Sequence, residues 1–337
     1  MVELDGSYLE GGGQILRTAV GLSAVTGRPC RIFNIRKGRK DPGLRAQHLR
    51  GIEAVAALCG AELVGAEMSS QEIEFRPHQL SPEPSFSVHV GTAGAVTLVL
   101  QALTIPLVNS PQPVTIDITG GTHVRWAPVI EYAQHVFAEN LRRMGPRLDI
   151  KVKGCGFYPK GGGKVRVSVQ PSELHAADWS RRGAFEANAV WSVATEDLKK
   201  ARVAERQVEA ARKRMDFEDE HVSYVPSPST GSSIFILARY ENCVLGASAL
   251  GERGVAAEKV GRGCLKALSD QTRTDACLDE HMADQVLPYM ALAGEDSTAA
   301  VAAVTDHCRT NIWVIEQFLP VRFTVDEEQS TISCRHL

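Results

Sequence analysis

The chain has 337 residues, of which 44% are hydrophobic and 23% charged, and its formal net charge at pH 7 is −3. This profile is that of an ordinary globular protein with room for two domains, and its weak acidity argues against a general nucleic-acid coat protein. The longest apolar run, residues 95–108, contains Gln101 and Pro106 and is too short to cross a bilayer.

The eight cysteines are scattered between Cys30 and Cys334 and form no C-x-x-C pair. This distribution favours reduced thiols over a disulfide framework or a zinc site. Residues 1–5 are acidic and do not resemble a signal peptide. We therefore expect a cytoplasmic protein that is not held in a membrane.

A short strand at residues 2–4 leads into three glycines at 11–13 and then into an apolar run with helical spacing. The bare N–H groups at a helix N-terminus attract anions. Glu10 and Arg17 frame this turn, and a carboxylate can hold a divalent cation while an arginine can fork onto a phosphate. Taken alone, the turn is also explained by close packing of a helix on a strand, because its spacing is neither that of a dinucleotide fingerprint nor that of a P-loop.

A basic segment follows this helix. Between Arg28 and Arg50 there are eight lysines and arginines and one acid, Asp41. Such a segment fits a partner that presents a few phosphates, and it equally fits a solvated basic face. Within it, Arg36 and Arg39 lie three residues apart beside a turn, so that both can converge on one phosphate.

The order of predicted elements is strand, helix, strand, helix and two strands, and it begins again near residue 86. Alternation of apolar and polar residues predicts a strand at 31–35. Asp41 followed by Pro42 predicts the start of a helix that ends at Cys59. The two copies indicate a repeat of roughly 80 residues with two helices and about four strands.

The pattern changes between residues 183 and 276, where strands alternate with a strongly charged helix and a second helix. We expect a small α/β insert domain there, with residues 1–182 and 277–337 forming one repeated-unit domain. Helices at 282–292 and 311–318 would belong to a third, split copy. The predicted fold class is α/β (α+β), with repeated units of two helices packed on a four-stranded sheet and a small α/β insert.

The segments that carry chemistry are short and follow one another along most of the chain. They are Glu10-Gly-Gly-Gly-Gln-Ile-Leu-Arg17, Ile35-Arg-Lys-Gly-Arg39 with Pro42-Gly43-Leu44, Gly120-Gly121-Thr122, Gly156-Phe-Tyr-Pro-Lys-Gly-Gly-Gly163, Gly251-x-x-Gly254 with Ala257-Glu258, Ala283-Asp284-Gln285, and His307-x-x-Thr310-Asn311. In this order, from residue 10 to residue 311, they resemble the RNA 3′-terminal phosphate cyclase family.

The resemblance implies an enzyme that uses ATP to convert an RNA 3′-phosphate into a 2′,3′-cyclic phosphodiester. In such enzymes a histidine is adenylated first, AMP passes to the RNA 3′-phosphate, and the neighbouring 2′-hydroxyl then expels AMP. His307 matches the adenylated histidine. The residue type suits this chemistry, because a neutral imidazole with an ordinary pKa of ~6.5 is nucleophilic near pH 7.

The resemblance also implies the remaining site residues and partners. The residues that would hold ATP are Gln101, His281, Met282, Ala283, Asp284 and Gln285. Glu10 would be the carboxylate for Mg²⁺ or Mn²⁺, since a divalent ion helps pyrophosphate to leave. The residues that would receive phosphates of ATP or of the RNA end are Arg17, Arg36, Arg39 and Gln47. The expected partners are ATP and RNA with a 3′-terminal phosphate, and a homo-oligomer is left open.

Two positions depart from the family's pattern. Cys155 stands where the glycine-rich signature usually opens with histidine or arginine. His281 stands where a tyrosine often begins the nucleotide segment, although a histidine can still stack on adenine.

Two other functions remain as alternatives. One is a non-catalytic, cyclase-like factor in ribosome assembly, although such relatives typically lack the histidine and several of the arginines present here. The other is an enolpyruvyl transferase, which has a related repeated architecture and needs no adenylated histidine.

Overall fold

The first structural unit is a four-stranded sheet carrying two helices. In the computed structural model, which describes residues 1–337, it consists of β1 (Val2–Asp5), α1 (Gly13–Thr26), β2 (Cys30–Phe33), α2 (Ala46–Cys59), β3 (Glu62–Val64) and β4 (Ile73–Arg76). The strand order is β1-β2-β4-β3, with β1 and β2 parallel and the other neighbours antiparallel. Both helices end at a glycine in the left-handed conformation, Gly27 and Gly60.

The second unit repeats this arrangement. It consists of β5 (Ser85–His89), α3 (Val96–Leu107), β6 (Val114–Gly120), a helical stretch, β7 (Arg147–Gly154) and β8 (Gly163–Gln170). The helical stretch is α4 (Ile130–Tyr132), a π-helical turn (Ala133–Phe137) and α5 (Ala138–Arg142). The strand order β5-β6-β8-β7 has the same topology as the first sheet, which confirms the repeat predicted from the sequence.

The segment with the different pattern forms its own sheet. It consists of β9 (Phe185–Thr195), a 3₁₀ turn (Glu196–Ala201), α6 (Val203–Arg212), β10 (Asp219–Val225), β11 (Ser232–Tyr240), β12 (Val244–Leu250) and α7 (Ala257–Gln271). The strand order is β10-β9-β11-β12, and α6 and α7 pack against each other and against this sheet. The division of the chain into two domains at residues 183 and 276 stays a prediction.

The third unit is split by this segment. After it come α8 (Glu280–Leu292), β13 (Ser297–Ala300), α9 (Asp306–Phe318), β14 (Val321–Asp326) and β15 (Thr331–His336), with strand order β13-β15-β14. The place of a first strand is taken by Trp179, which forms a parallel bridge with Ala299 and accepts a hydrogen bond from the N–H of Ala300 at 2.9 Å. The predicted fold class is confirmed, although this third sheet has three strands and a bridge instead of four strands.

One continuous cluster of buried apolar side chains joins all three units and the inserted sheet. Helix α1 is buried on nearly every side because it packs against α2, α3 and α9. The glycine turn before α1 therefore lies where the first and third units meet. None of the helices has both the length and the apolar character that crossing a bilayer requires.

The predicted helix start at Asp41 and Pro42 is wrong, since α2 begins at Ala46. The backbone at Gly43 is held in a loop instead: its φ is +76°, in the left-handed region, and its N–H donates to the carbonyl of Ile35 at 2.9 Å. The Arg36 guanidinium donates to the carbonyl oxygens of Asp41 and Gly43, both at 2.8 Å. The loop keeps the basic segment beside the glycine turn.

Candidate active site

The glycine turn folds the carboxylate of Glu10 over the start of α1. A side chain at Gly12 would overlap this carboxylate, so glycine leaves room for Glu10 to fold back in this way. One oxygen, Oε1, is ion-paired with Arg39, which also donates to the main-chain oxygen of Glu10 at 2.8 Å. The other oxygen, Oε2, is buried and has no hydrogen-bond partner. An unpartnered buried carboxylate oxygen is a group that a bound cation would satisfy.

Three side chains from α1, α8 and α9 form a hydrogen-bonded row. Nδ1 of His307 lies 2.5 Å from Oε1 of Gln14, and Nε2 of Gln14 donates to Oδ2 of Asp284. Because the Gln14 amide donates to the carboxyl group, its oxygen faces the histidine and can only accept. This assigns the imidazole proton to Nδ1 and leaves the Nε2 lone pair of His307 free.

Burial and neighbouring charges set the protonation states in this row. Burial lowers the pKa of His307, against the opposing effect of Glu10, and the positive charge of Arg17 lowers it further. Burial also raises the pKa of Asp284 to about 7, although His281 and Arg17 act in the opposite direction. At neutral pH the His307 imidazole is therefore uncharged, which is the form that acts as a nucleophile.

A second histidine faces the glycine turn. The N–H of Arg45 donates to Nδ1 of His48 at 3.1 Å, so that the ring proton lies on Nε2. A side chain at Gly13 would come within 2.8 Å of Cδ2 of this ring and even closer to Nε2. Burial lowers the pKa of His48 to about 3, with further lowering by Arg17 and Arg36. His48 is therefore a neutral hydrogen-bond donor directed at the turn.

Several of the predicted site residues line adjoining cavities. Gln101, Asp284 and Gln285, predicted to hold ATP, line one cavity together with Gln14 and Arg17. Arg17 also lines a second cavity, whose polar side chains are those of Gln47 and His48. The residues predicted for the nucleotide and those predicted for phosphates therefore meet at Arg17, which is half-buried.

Other predicted residues are placed differently. The side chains of Met282 and Ala283 are fully buried in the hydrophobic core and do not line either cavity. Arg36 uses one guanidinium nitrogen to hold its own loop. His281 is exposed, with its ring edge-on to Tyr132 at a centroid distance of 6.1 Å. All four remain predictions as site residues.

Cys155, one of the two departures from the family's pattern, is buried beside Phe157 and Val193. Burial raises the pKa of its thiol to about 12. The thiol is thus neutral at physiological pH and acts as a small apolar side chain.

Sequence reasoning assigned no role to Gln14 or His48, although both lie in segments that were read for chemistry. Gln14 lies three residues before Arg17, so both fall on one face of α1, and a polar residue on an otherwise apolar helix was the available signal. For His48 the signal was weaker, since its only mark was its position beside Gln47 on α2.

Comparison with known proteins decides the family. A family model described as RNA 3′-terminal phosphate cyclase matches residues 8–325. This chain belongs to the RNA 3′-terminal phosphate cyclase family.

Relatives that carry this family name align with this chain over nearly their full length. The RNA 3′-terminal phosphate cyclase of Methanopyrus kandleri is 41% identical over 99% of this chain and 99% of its own. Those of Methanosarcina barkeri and Thermococcus onnurineus are 42% and 43% identical, covering 98% and 97% of this chain and 98% and 96% of their own. The sequence similarity to the cyclase family therefore covers the inserted sheet as well as the repeated units.

Proposed function

We propose that this protein is an ATP-dependent RNA 3′-phosphate cyclase in which His307 carries AMP. The observation that supports this most directly is the row formed by His307, Gln14 and Asp284, which leaves Nε2 of a neutral imidazole free near the half-buried Arg17. The names of relatives about 40% identical over nearly the whole chain point to the same activity.

In the first step Nε2 of His307 attacks the α-phosphorus of ATP. An N–P bond forms, the bond from the α-phosphorus to the bridging oxygen breaks, and pyrophosphate leaves with the electron pair. Arg17, Arg39 and the Nε2–H of His48 provide positive charge and hydrogen bonds for the phosphates around the turn. Gln14 holds the imidazole proton on Nδ1 while the nucleophilic nitrogen reacts.

The next two steps transfer AMP and close the ring. An oxygen of the RNA 3′-phosphate attacks the AMP phosphorus, the N–P bond breaks, and His307 is free again. The 2′-hydroxyl oxygen then attacks the 3′-phosphate phosphorus, its proton goes to solvent, and AMP leaves. Gln47, Arg36 and Arg39 are the residues proposed to receive the RNA phosphate. Gln47 lines the second cavity with Arg17, Arg39 pairs with Glu10, and Arg36 holds the loop that follows Arg39.

Glu10 fits a divalent cation shared with substrate phosphates. No group of three or more acidic, histidine or cysteine side chains forms a protein cage for a metal. Mg²⁺ is commonly bound by one or two carboxylates together with phosphates and water, and Oε2 of Glu10 is such a ligand. The ion would neutralise charge on the pyrophosphate leaving group. We expect the reaction in the cytoplasm, where the eight buried cysteines stay reduced.

The test is labelling of the protein with ATP that carries radioactive α-phosphate, in the presence of Mg²⁺ or Mn²⁺. Wild-type protein should retain the label on a denaturing gel, lose it in acid, and be discharged by RNA with a 3′-phosphate. His307→Ala should take no label, while His78→Ala, which alters an exposed histidine, should label normally.

Label that persists in His307→Ala would show that another residue carries AMP. If wild-type protein takes no label with either metal but binds RNA, the ribosome-assembly alternative replaces the cyclase.

A further inference from the structure

The two most exposed aromatic rings of the chain lie on neighbouring loops. Trp126, between β6 and α4, is 94% exposed, and Tyr158, between β7 and β8, is 75% exposed. The loops are joined at their bases: the N–H of His123 donates to the carbonyl of Gly156 at 3.1 Å, and its ring stacks on Phe157 with centroids 4.9 Å apart. Tryptophan is highly buried on average, so an indole in solvent beside a second exposed ring is an unusual surface feature.

The Trp126 loop lies against the end of α3 that contacts Gln47. The N–H of Gly121 donates to the carbonyl of Gly94 at 2.8 Å, and the carbonyl of Gly121 accepts from the N–H of Val96 at 2.9 Å. Between these residues, the N–H of Ala95 donates to Oε1 of Gln47 at 3.1 Å. The base of the loop that carries Trp126 therefore adjoins Gln47, a residue of the proposed site for the RNA phosphate.

Both loops are firmly held. The buried His123 ring contacts Oγ1 of Thr122 at 2.8 Å and Oε2 of Glu131 at 2.9 Å. On the other loop, the N–H of Lys160 donates to Oγ of Ser229 at 3.1 Å. Rings carried on an ordered backbone lose little conformational entropy when a ligand stacks on them.

The backbone at Trp126 adopts a conformation that L-residues other than glycine seldom take. Its φ is +67°, which for a bulky side chain carries a cost in strain. No packing compensates for this, since nearly all of the indole is in solvent. The position thus serves to present the ring outward.

Each ring has a basic side chain close to it in the sequence. Lys160, two residues after Tyr158, is exposed and forms no ion pair. Arg125, next to Trp126, pairs with Glu252 at 2.9 Å, and both partners are more than half exposed. Exposed aromatic rings separated by cations are the pattern that binds single-stranded nucleic acid, in which bases stack on the rings and phosphates lie against the charges. An apolar protein partner would instead require a continuous apolar patch.

We propose that Trp126 and Tyr158 form a stacking platform for the bases of single-stranded RNA that precede the nucleotide carrying the 3′-phosphate. The inference rests on the proposed function, because it takes the RNA end to lie at Gln47. Every base has an aromatic face, so the platform accepts RNA ends without regard to sequence and requires several unpaired nucleotides.

The test measures binding of a short single-stranded RNA with a 3′-phosphate by fluorescence anisotropy. Trp126→Ala and Tyr158→Ala should each weaken binding on the order of tenfold. Trp126→Phe should recover most of the lost affinity. Phe185→Ala removes a 52% exposed ring from the start of β9 and should bind like wild type.

A second RNA has abasic sites in place of the upstream nucleotides. Wild-type protein should bind it about as weakly as Trp126→Ala binds intact RNA, and Trp126→Ala should bind both RNAs alike. Labelling by ATP without RNA, measured on the same preparations, reports whether each variant is folded.

The platform is disproved if wild-type protein binds intact and abasic RNA equally, or if Trp126→Ala binds intact RNA as wild type does. If instead binding depends on Trp126 and on the bases but no protein–AMP forms, the proposed cyclase activity fails and the platform stands.

Discussion

Gln14 makes the orientation of His307 depend on helix α8. A histidine in the first turn of an exposed helix end can rotate, but here its Nδ1 is held by an amide that is itself fixed by Asp284. A reversed amide would place its oxygen against the carboxyl group, which is unfavourable when Asp284 is ionised. Asp284 therefore determines the tautomer of His307, the proposed nucleophile, although the two side chains are not in contact.

The raised pKa of Asp284 makes the stability of the fold depend on pH. Between the ordinary carboxyl pKa near 4 and the folded value of about 7, the folded state holds a proton that the unfolded state has released. The group thus contributes least stability at high pH. Relative to Asp284→Asn, wild-type protein should lose at most about 1.4 kcal/mol of unfolding free energy per pH unit as pH rises through this window.

Urea denaturation of both proteins without ATP at several pH values between 4 and 8 measures this difference. Asp275→Asn changes a fully exposed carboxylate near α8 and should show no such trend. A difference that is constant with pH, or that grows in favour of wild type, would contradict a raised pKa at Asp284.

Helix α1 begins with Gly13, although glycine is a poor helix-forming residue. Alanine is the better helix former by about 1 kcal/mol in a helix interior, yet a Cβ at Gly13 would meet the ring of His48. We expect Gly13→Ala to displace His48, to lower stability by about 1–3 kcal/mol through overpacking, and to slow labelling by ATP.

Gly263→Ala is the matched control, because nothing lies within 4 Å of a side chain at this position of α7. It should raise the free energy of unfolding by about 0.4–1 kcal/mol and leave labelling unchanged. Thermal denaturation and the labelling rate of the two variants check both expectations. Equal stability and labelling in the two variants would show that His48 does not contact the turn at Gly13.

The sequence allowed the elements and their repetition to be predicted, but not how the helices begin or meet. Helical and strand periodicity are local, so α1, α3 and the alternation of β6 were readable. The start of α2 could not be predicted. Asp41 followed by Pro42 is a typical helix start, but the hydrogen bonds of Arg36 hold these residues in a loop. The row through Gln14 joins residues 293 and 270 positions apart, which no local pattern reports.

Asp279 ties the inserted sheet to the second and third units. Its carboxylate caps α8 through the N–H groups of His281 and Met282, accepts from the Tyr132 hydroxyl at 2.6 Å, and accepts from the N–H of Gly246 in β12 at 3.0 Å. The residue is fully buried. The units and the insert are thus joined by a buried carboxyl group whose hydrogen-bond partners come from each of them.

We expect Asp279→Ala to cost about 3 kcal/mol or more, since it removes a helix cap and leaves a buried hydroxyl and N–H without acceptors. Asp275→Ala, whose fully exposed carboxylate forms one ion pair with Arg182 at 3.4 Å, should change stability by less than about 1 kcal/mol. Urea unfolding of the two variants provides the comparison. A small loss of stability in Asp279→Ala would mean that the surrounding residues rearrange to satisfy the groups left by the missing carboxylate.

The meeting of α1 with α9 has a consequence for how the protein is made. The N–H of Glu10 donates to Oγ1 of Thr310 at 3.3 Å, and Oγ1 of Thr18 donates to Asn311 at 2.6 Å. A nascent chain that has grown to residue 300 already carries the glycine turn and the basic segment, but it has neither His307 nor the helix α9 against which α1 packs. The proposed site can therefore be assembled only after one of the last elements of the chain has been made.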